Sequence, residues 1–186
     1  MRLILASASP RRADLLRSAG FEFEICPADV EETPQVGETA EAYTLRVARE
    51  KARYVEGIRA SAGAVILAAD TEVVADCRIL GKPADPPHAA AILRRLSGVA
   101  HDVLTAVVVR TDGRERYEVV TTRVRFTPLS HEEIDWYVAS GEPMGKAGAY
   151  AVQGLGARFV DRIEGSWSGV VGLPLATVHR LLRAVQ

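Results

Sequence analysis

The chain has 186 residues, a formal net charge of -1 and 25% charged residues. That is an ordinary globular composition, with enough chain for a substantial core and no suggestion of disorder. It argues against a broad nucleic-acid or anionic-membrane surface, while a local basic pocket is compatible with it.

No apolar run reaches transmembrane length, and Met1-Arg2 opens into a strand pattern rather than signal-peptide regions. Cys26 and Cys77 match no metal or redox spacing, and both read as small buried hydrophobes. His88, His101, His131 and His179 are scattered, so no histidine metal cluster is visible. The expected compartment is the cytoplasm.

Leu3-Ile4-Leu5-Ala6 reads as a buried strand. Ser7-Ala8-Ser9-Pro10-Arg11-Arg12 follows it and leads into a helix with Leu15 and Leu16 inside and Gly20 at its stop. Ser9 fits the N-cap and Pro10 the first helical position. Such a helix end favours anions, and arginine forks match phosphate oxygens. Two arginines at the positive end of a helix oppose its dipole unless something negative sits there. The stretch therefore reads as a polyphosphate site, against the plainer reading of a capped helix with solvated arginines.

Phe21 to Ile25 alternates as a strand and is followed by an acidic loop with Asp29, Glu31 and Glu32, which by itself reads as solvated. A long helix is expected from about Thr39 to Arg59, with Leu45, Ala48, Ala52 and Val55 inside. Lys51 flanks that face, as a snorkelling side chain or as a cation reaching inward. Ala64 to Ala69 is the most apolar strand and runs into Asp70-Thr71. A carboxylate directly after a buried strand is better explained by function or capping than as surface decoration.

Glu72 to Ala75 and Arg78 to Leu80 read as a hairpin around Asp76-Cys77, closed by Gly81-Lys82-Pro83. Lys82 is either a fixed charge or an exposed turn lysine. Pro86-Pro87 start a helix with Ile92, Leu93 and Leu96 inward, stopping at Ser97-Gly98. Strands from His101 to Arg110 and Tyr117 to Phe126 flank the hairpin turn Asp112-Gly113. Ser130 and Glu133 make a capping box for a short helix with Ile134, Trp136 and Tyr137, ended by Gly141 and Pro143. The glycine-rich stretch 145–156 lacks Walker A spacing. A short strand carries Phe159, Asp161 and Ile163; Gly165 to Gly169 reads as a loop. Pro174 starts the last helix, with Val178, Leu181, Leu182 and Val185 inside.

Five motifs occur in order: Ser7-x-Ser9-Pro10-Arg11-Arg12, Ala69-Asp70-Thr71, Gly81-Lys82-Pro83, Tyr150-x-x-Gln153-Gly154 and Val170-Val171-Gly172-Leu173-Pro174. Together they resemble the Maf family of nucleoside triphosphate pyrophosphatases. The Gln153 loop and the Val-Val-Gly-Leu-Pro ending look like its dTTP/UTP branch rather than the branch acting on 7-methyl-GTP. The resemblance implies an α/β fold, inosine-triphosphatase-like, in which an elongated mixed β-sheet flanked by helices forms two lobes with a central cleft. It spans residues 1–186 as one Maf-like domain. It implies hydrolysis of dTTP and UTP to the monophosphate and pyrophosphate, with Mg²⁺ or Mn²⁺, by a cytoplasmic homodimer; the net charge of -1 and the lack of a transmembrane-length run speak for neither a nucleic-acid nor a membrane partner.

By the same resemblance, Asp70 is the catalytic proton acceptor. Arg12, Thr71 and Gln153 select substrate, while Ser7, Arg11, Lys51 and Lys82 contact phosphate. Glu32 helps hold metal, and Asp70 is base, metal ligand or both. Two departures stand out. Glu31 replaces the family's usual aspartate, and Gly169 stands where many members have asparagine. The residues themselves agree with this chemistry, since several cations, two carboxylates and no Ser-His-Asp or Cys-His set point to uncovalent phosphoryl transfer. The Gln153 amide offers both a donor and an acceptor to a uracil or thymine edge. Two further readings are a nucleotide-binding regulator of septum formation without catalysis, and a pyrophosphatase for modified nucleotides.

Overall fold

A buried apolar run at the start of the chain seeds the sheet, and the computed structural model, which describes residues 2–59 and 63–185, shows how the rest assembles on it. Strand β1 (Arg2–Leu5) pairs in parallel with β2 (Glu24–Ile25) on one side and β3 (Ala64–Ala75) on the other. With β4 (Arg78–Ile79), β5 (Ala100–Thr111), β6 (Arg114–Phe126) and β7 (Val160–Glu164), they form a seven-stranded sheet. Its order is β2-β1-β3-β5-β6-β7, with β4 on β3. The β3–β4 and β6–β7 pairs are antiparallel, so the sheet is mixed. Flanking it are helices α1 (Pro10–Ser18), α2 (Ala40–Arg59), α3 (Pro86–Leu96), α4 (His131–Ala139), α5 (Trp167–Val171) and α6 (Leu175–Arg183). The mixed α/β architecture expected from the sequence is the one observed.

The chain divides into two compact units. The first comprises Met1–Asp70, Thr105–Val120 and Gly172–Gln186; the second comprises Thr71–Leu104 and Thr121–Val171. Each has its own apolar core. In the first, Ile4, Ile66 and Val108 of the sheet pack with Ala48, Ala52 and Val55 of α2. In the second, Leu93 and Leu96 of α3 and Ile134 and Tyr137 of α4 pack with Val124, Phe126 and Phe159. Each fully buried large side chain contributes about 1.5–3 kcal/mol to holding its unit together.

Local chemistry explains most boundaries. Pro10 occupies the first turn of α1, and Gly20 at φ 78° ends the helix. The Phe21 N–H donates back to the Leu16 carbonyl at 3.1 Å, which ties Phe21 to the helix end. That leaves only Glu24 and Ile25 to pair with β1, so β2 is shorter than the alternation from Phe21 suggests. The α4 capping box forms as expected, with Ser130 Oγ accepting from the Glu133 N–H and the Ser130 N–H donating to the Glu133 carboxylate. On β6, buried Thr122, Val124 and Phe126 alternate with exposed Arg123 and Arg125.

Other expectations change. Strand β3 does not end at Ala69 but continues through Asp70 to Ala75. Cys26 is buried, whereas Cys77 is exposed in the β3–β4 turn at φ 58°. The stretch read as a loop around Gly165–Gly169 contains the start of α5. Ser166 Oγ accepts from the Gly169 N–H at 3.0 Å and caps that turn. Leu45 and Val185 are only partly buried, while Val47 is fully buried on α2.

Candidate active site

In the first unit the opening motif folds on itself. Ser7 follows β1 and is buried. Its Oγ accepts from the Ser9 N–H at 3.1 Å and from Arg12 Nη1 at 3.3 Å. Ser9 stands at the N-cap of α1, but its side chain makes no capping bond, and the first turn holds no acidic residue. Arg12 lies one turn before Leu15 and Leu16 on the buried face of α1 and is only 9% exposed. Its Nε donates to the Gly172 carbonyl at 2.8 Å. The first and last motifs of the chain are therefore joined through one guanidinium. Arg11 is half-buried.

The second feature is a cation between two carboxylates. Lys51 is 7% exposed, one turn from Val47 and one from Val55 on the buried face of α2. Its Nζ lies 2.6 Å from Glu32 Oε1 and 2.7 Å from Asp70 Oδ1. Asp70 is 6% exposed, and its Oδ2 is buried with no hydrogen-bond partner among the described residues. A buried carboxylate is tolerated only when paired, and Lys51 supplies the pairing through one oxygen. The other oxygen keeps its lone pairs for a further donor or cation. Glu32 is thus not simply solvated, as its loop suggested, and Lys51 is not a snorkelling lysine.

Thr71, Lys82 and Gln153 belong to the second unit. Thr71 follows Asp70 on β3 and is half-buried. Lys82 is exposed on the turn after Gly81, whose carbonyl accepts from the Gly148 N–H at 2.8 Å. Gln153 is exposed on a loop between two short 3₁₀ turns, Ala147–Ala149 and Leu155–Phe159. Tyr150, which opens that loop, is buried with its hydroxyl 2.9 Å from His101 Nε2 and its ring edge-on to Phe126. Burial holds His101 down to about 4, so the ring is neutral near neutral pH.

The geometry thus gathers Ser7 with Arg12, and Glu32 with Lys51 and Asp70. Among the described residues, no group of three or more His, Cys, Asp or Glu side chains is gathered for a metal. Two carboxylates sharing one cation nevertheless match the donor set of a magnesium ion that takes its remaining ligands from water and substrate phosphates.

The sequence profile of Maf-like proteins matches residues 2–185. The chain belongs to the Maf family. Relatives in that family include a dTTP/UTP pyrophosphatase from Anaeromyxobacter sp. (strain Fw109-5), 55% identical over 187 residues, covering 98% of this chain and 88% of that protein. Another dTTP/UTP pyrophosphatase, from Methylococcus capsulatus, is 51% identical over 183 residues, covering 98% and 90% respectively. Among solved structures, a dITP/XTP pyrophosphatase from Mycobacterium abscessus aligns over 100% of this chain and 92% of its own, at 18% identity and a TM-score of 0.44, too loose a likeness to bear on function.

Motif reading of this Maf-family chain missed two residues near Gln153. In sequence, Tyr137 is a helix residue and Glu142 stands between Gly141 and Pro143. Both bond to the loop backbone, and no spacing in the sequence pairs them with it.

Proposed function

We propose that the chain hydrolyses dTTP and UTP between the α- and β-phosphates, giving the nucleoside monophosphate and pyrophosphate. The observation that carries this reading is the Glu32–Lys51–Asp70 cluster, with Asp70 Oδ2 buried and, among the described residues, unpartnered. A site that only bound a triphosphate would gain little from a buried carboxylate such as Asp70. The names of the relatives support the same chemistry and the same substrates.

Ser7, Arg11, Arg12 and the N-terminus of α1 bind phosphate oxygens, and Lys82 adds charge from its turn. Lys51 holds Asp70 through Oδ1, which leaves Oδ2 to accept a proton from the attacking water. The water oxygen forms its bond to phosphorus as the α–β anhydride bond breaks, and pyrophosphate departs. Arg12, tethered to Gly172, fixes the substrate against Ser7. Thr71 and Gln153 select the base, the Gln153 amide offering a donor and an acceptor to a pyrimidine edge. Nucleotide pyrophosphatases of this family generally need a divalent metal. Glu32 and Asp70 are the residues that would hold it, and when bound it neutralises phosphate charge. Nucleoside triphosphates are made and consumed in the cytoplasm, which supports that compartment.

The test is pyrophosphate release from dTTP, UTP, CTP, ITP and 7-methyl-GTP side by side, with Mg²⁺ and with Mn²⁺. Preference for dTTP and UTP is expected. Release from none of them leaves a binding protein, and preference for ITP or 7-methyl-GTP moves the chain to another substrate class.

A further inference from the structure

The loop that carries Gln153 is held by a hydrogen-bond network with no part in the chemistry. The Glu142 carboxylate accepts from the Leu155 N–H through Oε2 at 2.9 Å. It accepts from the Gly156 N–H through Oε1, also at 2.9 Å. The Tyr137 hydroxyl donates to Oε1 at 2.8 Å and accepts from the Ala151 N–H at 3.1 Å. The two side chains thus bind backbone on both sides of Gln153, which stands exposed between those anchors.

Both anchors are themselves fixed. Tyr137 is fully buried, its ring edge-on to Phe159. The Glu142 N–H donates to Ser140 Oγ at 3.2 Å, and Lys146 Nζ donates to the Glu142 carbonyl. The loop sequence fits the clamp closely. A Cβ at Gly154 would overlap the Glu142 carboxylate, and one at Gly156 would lie 2.6 Å from the Tyr137 hydroxyl. Glycine at both positions is what lets the backbone reach these acceptors. Burial works against the Glu142 charge, but the N–H donors of Gly156 and Leu155 outweigh it and hold the carboxyl below its usual range.

We infer that Glu142, acting with Tyr137, is a positioning residue for base selection: it sets the loop that presents Gln153. This rests on the reading of Gln153 as the residue that meets the base. A side-chain amide discriminates between bases only if its donor and acceptor are presented at fixed positions, and here backbone anchors on both sides do that.

The experiment measures KM and kcat by pyrophosphate release for dTTP, UTP and CTP, with amide hydrogen exchange across residues 151–156. The proteins are the wild type, Glu142→Gln, Tyr137→Phe and Gln153→Ala. In Glu142→Gln, KM for dTTP and UTP is expected to rise about tenfold, roughly the loss of one charge-assisted bond, and more than kcat falls. Preference over CTP narrows as it does in Gln153→Ala, and exchange across the loop speeds up. Should Glu142→Gln fail to fold, Tyr137→Phe carries the same test, because phenylalanine fills the same core. Preference retained in these variants while Gln153→Ala loses it overturns the inference alone. Preference unchanged in Gln153→Ala overturns it too, since the loop would then select nothing. No pyrophosphate from the wild type with any nucleotide overturns the functional reading and the inference with it.

Discussion

Replacing Lys51 with methionine keeps most of the side-chain volume and removes the ammonium from between Glu32 and Asp70. The Asp70 side chain is only 8% exposed, so its charge is left buried with no cation 2.7 Å away. Breaking a buried pair from one side costs about 3–5 kcal/mol. The Glu32 side chain is 36% exposed, so its share adds at most about 1 kcal/mol after solvent screening. A chain of this length loses about 2–4 °C of melting temperature per kcal/mol, so a total of about 3–6 kcal/mol puts the expected fall at about 6–24 °C. Converting Asp70 to asparagine in the same protein removes the stranded charge and returns part of that loss, since an unpaired buried amide costs about 1–3 kcal/mol. Thermal melts followed by circular dichroism on the wild type, both single variants and the double variant close the cycle. A Lys51→Met protein melting within 2 °C of wild type, about the effect of a surface substitution, refutes the buried pair. So does a double variant whose loss equals the sum of the singles.

Arg12→Lys keeps the charge but loses the planar fork that reaches the Gly172 carbonyl. Stability should drop by about 1–3 kcal/mol in urea titration, with a higher KM for triphosphate, and an unchanged urea midpoint contradicts the tether. His101 makes acid sensitivity predictable. In the unfolded chain the ring titrates near 6.5, whereas burial holds it to about 4 in the fold. The unfolded state therefore binds the extra proton first, and stability that is complete above about pH 6.5 erodes by about 3 kcal/mol as pH falls to 4. Urea titrations between pH 7 and 4 should show that loss, and His101→Gln should flatten it; an equal slope in both proteins removes the assignment.

Local chemistry made much of this protein legible from its sequence. Pro10, Gly20, the Ser130–Glu133 box and the Asp112-Gly113 turn each act within a few residues, and each marks a boundary the structure has. The site was half legible. Motif order picks out Asp70 and the family resemblance adds Lys51, but neither shows that they touch, because their bond joins residues 19 apart on different elements. Helical spacing did carry a signal, since Lys51 falls on the Val47–Val55 stripe, but a stripe says nothing of the partner that makes a buried lysine tolerable. A charge normally ends a buried run, so the sequence places the end of this strand at Ala69. Here Lys51 neutralises that charge, and the strand passes through it. Glu142 was invisible for a related reason. Its partners are backbone N–H groups 13 and 14 residues away, and no side-chain pattern encodes them.

Asp70→Asn tests the central claim most directly. The amide keeps the shape of the carboxylate but cannot accept the proton from water. With dTTP and Mg²⁺, wild-type protein should release pyrophosphate and thymidine monophosphate one for one. Asp70→Asn should still fold and bind dTTP, with release slower by about 10²–10⁴-fold, the usual worth of a positioned base. Turnover near the wild-type rate in a folded Asp70→Asn protein would contradict the account.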